Sequence, residues 1–289
     1  SGADMTVCCL EVPVAEAANT FGVMQVDASG RVVGFEEKPE NPKPLPNDPD
    51  HALVSMGLYV FDSAHLHESL EADARNPDSS HDFGKDIIPE AMRSGEPVFA
   101  FPLHRASPGQ PYWRDVGTID AYFQAHMELL DDEPVMDMND PTWPIYTKLM
   151  QSPPPRFTDH GPQGGCMLVD SIVSNGCIVS DSRLHRSLLA MDCTVRRGCE
   201  MDRAVLLPGC DVKAGCVLDG VILDNGCILE PGTVIGKDPV EDAKRFHITE
   251  AGVVVVNREM LGQERRYQPV DLAHTPQVAR DIKAEKSSG

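Results

Sequence analysis

With 289 residues, 41% of them hydrophobic, and a formal charge of −20 from 45 acidic and 25 basic side chains, the chain can fill one large core or two ordinary ones. It lacks the basic excess from which non-specific nucleic-acid or anionic-membrane binders draw their affinity. No run approaches the roughly 20 apolar residues that span a bilayer, and no secretory pattern opens the chain, so the expected setting is cytoplasmic, with no nucleic-acid or membrane partner. A small anionic substrate stays possible, because a local cluster of cations decides that rather than the total.

In chain order, residues 5–12, 22–26, 31–36, 52–61 and 97–102 read as strands, with Asp27, Ala28, Ser29 and Gly30 forming a hairpin turn. The strand over 31–36 runs into FEEKP, where Lys38 follows two glutamates and precedes Pro39, Pro42, Pro44, Pro46 and Pro49. Proline gives a neighbouring strand no N–H, so this stretch can be a solvated strand end or a charge held at the rim of a cleft. Helices are predicted from Asp62 to about Glu71, from Asp86 to about Arg93, and after Thr118, where Ile119, Tyr122, Phe123, Met127 and Leu130 recur at helical spacing. The result is a mixed α/β sheet over residues 1–130, followed by an Asp- and Pro-rich linker at 131–165.

The second half repeats. A small residue followed by aliphatics occurs at Ser171, Ser187, Ala204 and Gly220, spaced 16, 17 and 16. Gly-Cys or Gly-Thr pairs begin at Gly198, Gly209, Gly215, Gly226 and Gly232, spaced 11, 6, 11 and 6. Steps of six nested in a period of 17 predict a parallel β-helix of triangular section over 166–257, with one short strand per face and a tight corner after each. The nine cysteines include no C-x-x-C spacing, and those at 177, 199, 210, 216 and 227 each follow a glycine. They read as small fillers at corners rather than as disulfides or a zinc centre. The open faces of such a helix favour an oligomer. Beyond Arg258 the tail to residue 289 starts as a possible short helix and turns polar.

FGVMQVD, FEEKP, SMGLYVFD, SSHDFGKDIIP and PYWRDVGTIDAYFQAH, in this order and followed by the hexapeptide-type repeat, resemble the bacterial ADP-glucose pyrophosphorylase (glucose-1-phosphate adenylyltransferase) family from residue 1 to about 260. The resemblance implies the C-terminal two thirds of a Rossmann-like nucleotidyltransferase followed by a left-handed β-helix. It implies adenylyl transfer from ATP to α-D-glucose 1-phosphate in glycogen synthesis, with Mg2+, in a homotetramer regulated by sugar-phosphate activators and by nucleotide or phosphate inhibitors. The family's opening G-G-x-G-x-R-L loop and metal-binding aspartate have no counterpart in this sequence. The chain is therefore expected to be a fragment, inactive alone, that supplies the sugar-phosphate site.

Residue by residue, the resemblance gives Lys38 to the sugar phosphate, Glu37 and Asp82 to glucose hydroxyls, and Gly22 to close backbone approach. Ser55 and Tyr59 become further sugar-phosphate contacts, Phe83 a packing ring and Trp113 a pocket wall. Asp115 corresponds to a metal- or phosphate-site carboxylate and Arg258 to an activator-contacting arginine. Two further positions expected to be basic are Asn225 and Gly262 here. A solvated strand end for Lys38, a locally satisfied Tyr59 and a structural ion pair at Asp115 are the plainer alternatives. A non-catalytic scaffold and, with His185 as base, a hexapeptide-repeat acyltransferase compete as whole-chain readings.

Overall fold

The computed structural model describes residues 2–103, 112–142, 144–146, 151–159 and 165–264, and its contacts divide the chain into two units, 1–113 and 114–289. The first unit holds a five-stranded sheet of order β3-β2-β4-β1-β5, made from β1 (Met5–Pro13), β2 (Gly22–Val26), β3 (Val32–Glu37), β4 (His51–Phe61) and β5 (Val98–Pro102). Only the β1–β5 pair is parallel. Successive side chains leave a strand on opposite faces. Met24 and Leu53 therefore join Met5, Val7, Cys9 and Val98 against Ile88 and Ala91, whereas Val23, Ala52 and Val54 pack on the other face with Val12 and Ala17.

After the single turn of α1 (Val14–Ala17), local chemistry sets the helices. Asp62 accepts hydrogen bonds from the backbone N–H groups of Ala64 and His65 and so caps α2 (Ser63–Ala74), which runs three residues beyond the predicted end. The helix expected from Asp86 instead opens as a π-helical turn at Phe83–Ile87, capped by Asp82, before α3 (Ile88–Arg93). The Asp27 carboxylate closes the predicted hairpin by accepting from the N–H groups of Ser29 and Arg31.

In the second unit, Thr118 caps α4 (Ile119–Glu128) by accepting the Ala121 N–H at 3.1 Å. The apolar stripe of α4, read from the sequence as part of the first domain, buries Phe123, Met127 and Leu130 against Val205, Ile222 and Val253 of the β-helix. Most strands here pair in parallel with a residue offset of 16 or 17, as in Leu188↔Ile172 and Glu200↔Val217. The first pairing, Arg156–Thr158 beside Ile178–Ser180, falls inside the segment read as linker. Pro153, Pro154 and Pro155 mask the periodic signal just ahead of it. At the other end, residues 258–264 form turns where a short helix was expected, and residues 265–289 lie outside the described residues.

Three columns of left-handed backbone turn the coils. Two carry the glycines of the sequence repeat; the third runs through Asp170, Arg186, Arg203 and Gly220, with φ between 43° and 63°. Inside the corners the cysteines do more than fill space. Each thiol donates to a carbonyl of the adjacent coil: Cys177 to Ala190 (3.0 Å), Cys193 to Leu207 (3.4 Å), Cys199 to Lys213 (3.1 Å), Cys210 to Asp224 (3.2 Å) and Cys216 to Glu230 (3.2 Å). Ser182 occupies the same column as Cys199 and bonds Arg196 in the same way at 2.8 Å. Burial pushes the Cys227 thiol up to about 12, with the Asp224 carboxylate adding to the effect. No helix among the described residues is long and apolar enough to cross a membrane.

Seven of the nine cysteines are buried and two, Cys8 and Cys166, are half-buried. A thiol-specific reagent should accordingly find no more than two prompt thiols in the native protein and nine after denaturation. Cys199→Ser should cost no more than about 1 kcal/mol of stability, because Ser182 already shows that a hydroxyl serves in that column. A larger loss in denaturant melts would mean that the sulfur's volume, not its hydrogen bond, holds the corner.

Candidate functional site

The site is built by the register of β2 against β3. Gly22 lies opposite Glu37, and the space where its side chain would stand is taken: a Cβ there would meet Phe35 Cζ at 2.6 Å and Glu37 Oε2 at 2.9 Å. The π-helical turn closes on the same carboxylate, since a Cβ on Gly84 would lie 2.8 Å from Glu37 Oε2 and 3.3 Å from Asp82 Oδ1. Two glycines from separate elements thus let the carboxylates of Glu37 and Asp82 face one small space. Asp82 Oδ1 accepts the N–H groups of Gly84 (2.8 Å) and Lys85 (2.9 Å), which fixes its rotamer. The Glu37 carboxylate makes no hydrogen bond to the described residues.

Beside them stands Tyr59. Its ring stacks on Phe83 at 5.2 Å and 21°, and Phe61 packs at the edge of the same pair. Burial raises the Tyr59 phenol above the ordinary tyrosine value; a hydrogen bond from Ser55 opposes this, and the charges of Glu37 and Asp82 add to it. Ser55 and Tyr59 share a face as period two predicts, although β4 bulges between them. Four residues of β4 advance against two of β1 from Val7↔Tyr59 to Cys9↔Ser55, and Gly57 in the bulge has φ 70°. An even count on both strands preserves the face.

Lys38 follows Glu37 with φ 47°, a left-handed backbone that non-glycine residues seldom adopt and that the following proline does not favour. Two backbone bonds hold it there: the Lys38 N–H donates to the Phe21 carbonyl (3.1 Å), and the Asn19 N–H donates to that of Pro39 (3.0 Å). Such a conformation costs on the order of 1 kcal/mol and persists where its surroundings over-determine it. The Lys38 side chain is exposed and has no ion pair among the described residues, whereas the neighbouring Lys43 pairs with Glu36 at 2.7 Å. Phe21 also carries Trp113 on its ring at 5.4 Å.

The structure therefore brings Gly22, Glu37, Ser55, Tyr59, Asp82 and Phe83 together in the first unit, with Lys38 at the strand end beside them. Asp115 belongs to the second unit, where its carboxylate accepts the Gly117 N–H at 3.0 Å. No group of three His, Cys, Asp or Glu side chains that could hold a metal ion occurs among the described residues. Arg258 donates to the carbonyls of Gly226 and Glu264 and ties the turn at 258–264 to the β-helix. His185 pairs with Asp202 at 2.8 Å on the outer face of the coils. Gly84 is a site residue that the sequence reading does not single out, although HDFGKD carries the signal: a glycine two residues after a capping aspartate, where backbone must pass close to another group.

Residues 1–132 match the nucleotidyl transferase family, and residues 153–256 match the GlmU-like, C-terminal hexapeptide family. The chain is 49% identical to glucose-1-phosphate adenylyltransferase 2 of Alkalilimnicola ehrlichii and 50% identical to glucose-1-phosphate adenylyltransferase of Shewanella amazonensis, in each case over 91% of the chain and 62% of the relative. The Shewanella frigidimarina enzyme of the same name is 49% identical over 93% of the chain and 64% of its own length. The chain thus spans a little over three fifths of the curated relatives it matches.

Because Glu37 and Asp82 both raise the Tyr59 phenol, Glu37→Gln should lower its pKa. The folded state holds this proton more tightly than the unfolded chain does. The stability it contributes is thus whole below the ordinary tyrosine value of 10.0 and is lost as pH rises through the raised value. An alkaline titration followed by NMR of 13C-labelled tyrosine, with Tyr59→Phe to assign the signal, reads the shift. A titration curve indifferent to Glu37→Gln would separate the two side chains.

Proposed function

We propose, from its similarity to the glucose-1-phosphate adenylyltransferases over 91% of its length, that the chain supplies the sugar-phosphate half of an adenylyl-transfer site. The observation that carries the reading is the convergence of Glu37, Asp82 and Tyr59 beside a lysine held in a strained backbone. A sugar 1-phosphate presents hydroxyl donors at one end and a dianion at the other. Carboxylates and a phenol suit the first end. A lysine suits the second, as a compact charge with three donors.

In the proposed reaction a phosphate oxygen of α-D-glucose 1-phosphate attacks the α-phosphorus of ATP. The new P–O bond forms as the bond to the β-phosphate bridge breaks, and ADP-glucose and diphosphate leave. Little covalent chemistry falls to the protein in such transfers, so its work is positioning and charge stabilisation. Glu37 and Asp82 orient the sugar, Ser55 and Tyr59 support that orientation, and Lys38 lowers the cost of bringing two phosphates together. The proposal includes Mg2+ arriving with the nucleotide, which the described residues do not by themselves hold. It further includes a role in glycogen synthesis, a homotetramer, and control by sugar-phosphate activators and nucleotide or phosphate inhibitors. Arg258 would touch the activator with the donors that its two carbonyl bonds leave over.

Glucose 1-phosphate titrated into the protein by calorimetry tests the reading. Lys38→Ala should weaken binding at least tenfold, the scale of a single charge-assisted hydrogen bond. In a longer enzyme that adds the nucleotide half of the site, assays with ATP should show the same change in KM more than in kcat, as expected when an interaction present in both the ground state and the transition state is removed. Equal affinity in the two proteins would return Lys38 to the role of a solvated strand end.

A further inference from the structure

The loop between α2 and the π-helical turn, SSHDFGKD at 79–86, is held from behind by two carboxylates whose roles differ. Asp73, in the last turn of α2, accepts from the Ser79 hydroxyl and from His81 Nδ1, the latter at 2.7 Å, and so anchors the start of the loop. Asp86 lies inside the turn and reaches back. Its Oδ2 accepts both the Ser80 hydroxyl at 2.7 Å and the Asp82 N–H at 3.0 Å. Asp82 answers in the other direction, its side chain accepting from Gly84 and Lys85 and its carbonyl accepting the N–H groups of Asp86 (2.9 Å) and Ile87 (3.3 Å). The two aspartates thus clamp each other's backbone around a turn that also presents Phe83 to Tyr59 and Gly84 to Glu37.

That geometry makes Asp86 the residue through which the Asp82 carboxylate is aimed. The loop enters through His81, at φ 58°, so its backbone has no regular ladder to rely on before Asp82. Hydrogen bonds from Ser80 and from the Asp82 N–H hold the Asp86 carboxyl below the usual carboxylate range, so its acceptor is charged and strong at neutral pH. Resting on the sugar-phosphate reading above, we propose that Asp86 is a positioning residue for the sugar end of the ligand. It sets the orientation of Asp82 without touching the ligand and has no part in holding the phosphate.

The two ends of the ligand separate this role from general structural damage. Affinities for glucose 1-phosphate and for inorganic phosphate are measured on the wild-type protein, Asp86→Ala, Asp86→Asn and Lys38→Ala, with circular dichroism confirming that each is folded. Asp86→Ala should weaken glucose 1-phosphate about tenfold, the worth of one misplaced hydrogen-bond acceptor, and leave phosphate binding unchanged. Asp86→Asn keeps an accepting oxygen and should restore most of the affinity, whereas Lys38→Ala should weaken both ligands. Unchanged glucose 1-phosphate binding in Asp86→Ala, or parallel weakening of both ligands, would overturn the proposal while leaving the sugar-phosphate reading intact. A wild-type protein that binds neither ligand would overturn the reading on which it rests.

Discussion

One register fixes the site: β2 pairs with β3 so that Gly22 stands opposite Glu37. A side chain at residue 22 would collide with Phe35 and with the Glu37 carboxylate together, and a one-residue slip would send Glu37 to the other face of the sheet. With the register set, Lys38 must leave the strand immediately afterwards, and the bonds to Phe21 and from Asn19 decide the direction in which it leaves. The π-helical turn then has one place to deliver Gly84. Each later feature of the site is a consequence of where that strand pair ends.

The second unit solves a different problem, that of stacking short parallel strands with a side chain of the right size at every corner. Backbone carbonyls at a corner point toward the neighbouring coil, and a buried carbonyl without a donor costs more than a weak hydrogen bond contributes. Thiols meet that need while remaining nearly apolar, which is why cysteine recurs in columns here and why Ser182 can stand in for one. Charge pairs on the outer faces, such as Arg196 with Asp211 and both Arg203 and Lys237 with Asp219, link neighbouring coils. At exposed positions they contribute little each.

Where the sequence is legible, periodicity or a motif carries the information. The strands over 22–26 and 52–61 and the Thr118 cap follow from alternation and capping chemistry alone, and the steps of six and eleven expose two corners of the β-helix through their glycines. The third corner stays hidden because Asp170, Arg186 and Arg203 occupy it in left-handed conformations, and of these only aspartate adopts that backbone readily. Arg186 is held by the Met127 carbonyl and Asp131, partners 59 and 55 residues away, which no local pattern encodes. The π-helical turn escapes a sequence reading for a similar reason. Asp86 looks like a helix start in the sequence, but its carboxylate belongs to the backbone of Asp82.

In a protein of charge −20 a cation is readily drawn into pairs with the chain's own acceptors. Arg31 is committed to the carbonyls of Gly95 and Glu96, Lys43 to Glu36, Arg75 to Glu71 and Arg93 to Glu90. Lys38 has two acidic residues immediately before it, yet pairs with neither. Alternation points Glu36 and Glu37 to opposite sides of β3, Glu36 is taken by Lys43, and the left-handed turn at Lys38 takes the chain out of strand geometry before the next side chain leaves it. The strained backbone thus has an electrostatic consequence. It keeps one cation available beside a pair of carboxylates that would otherwise neutralise it, so that acceptors and a positive charge stand side by side without cancelling.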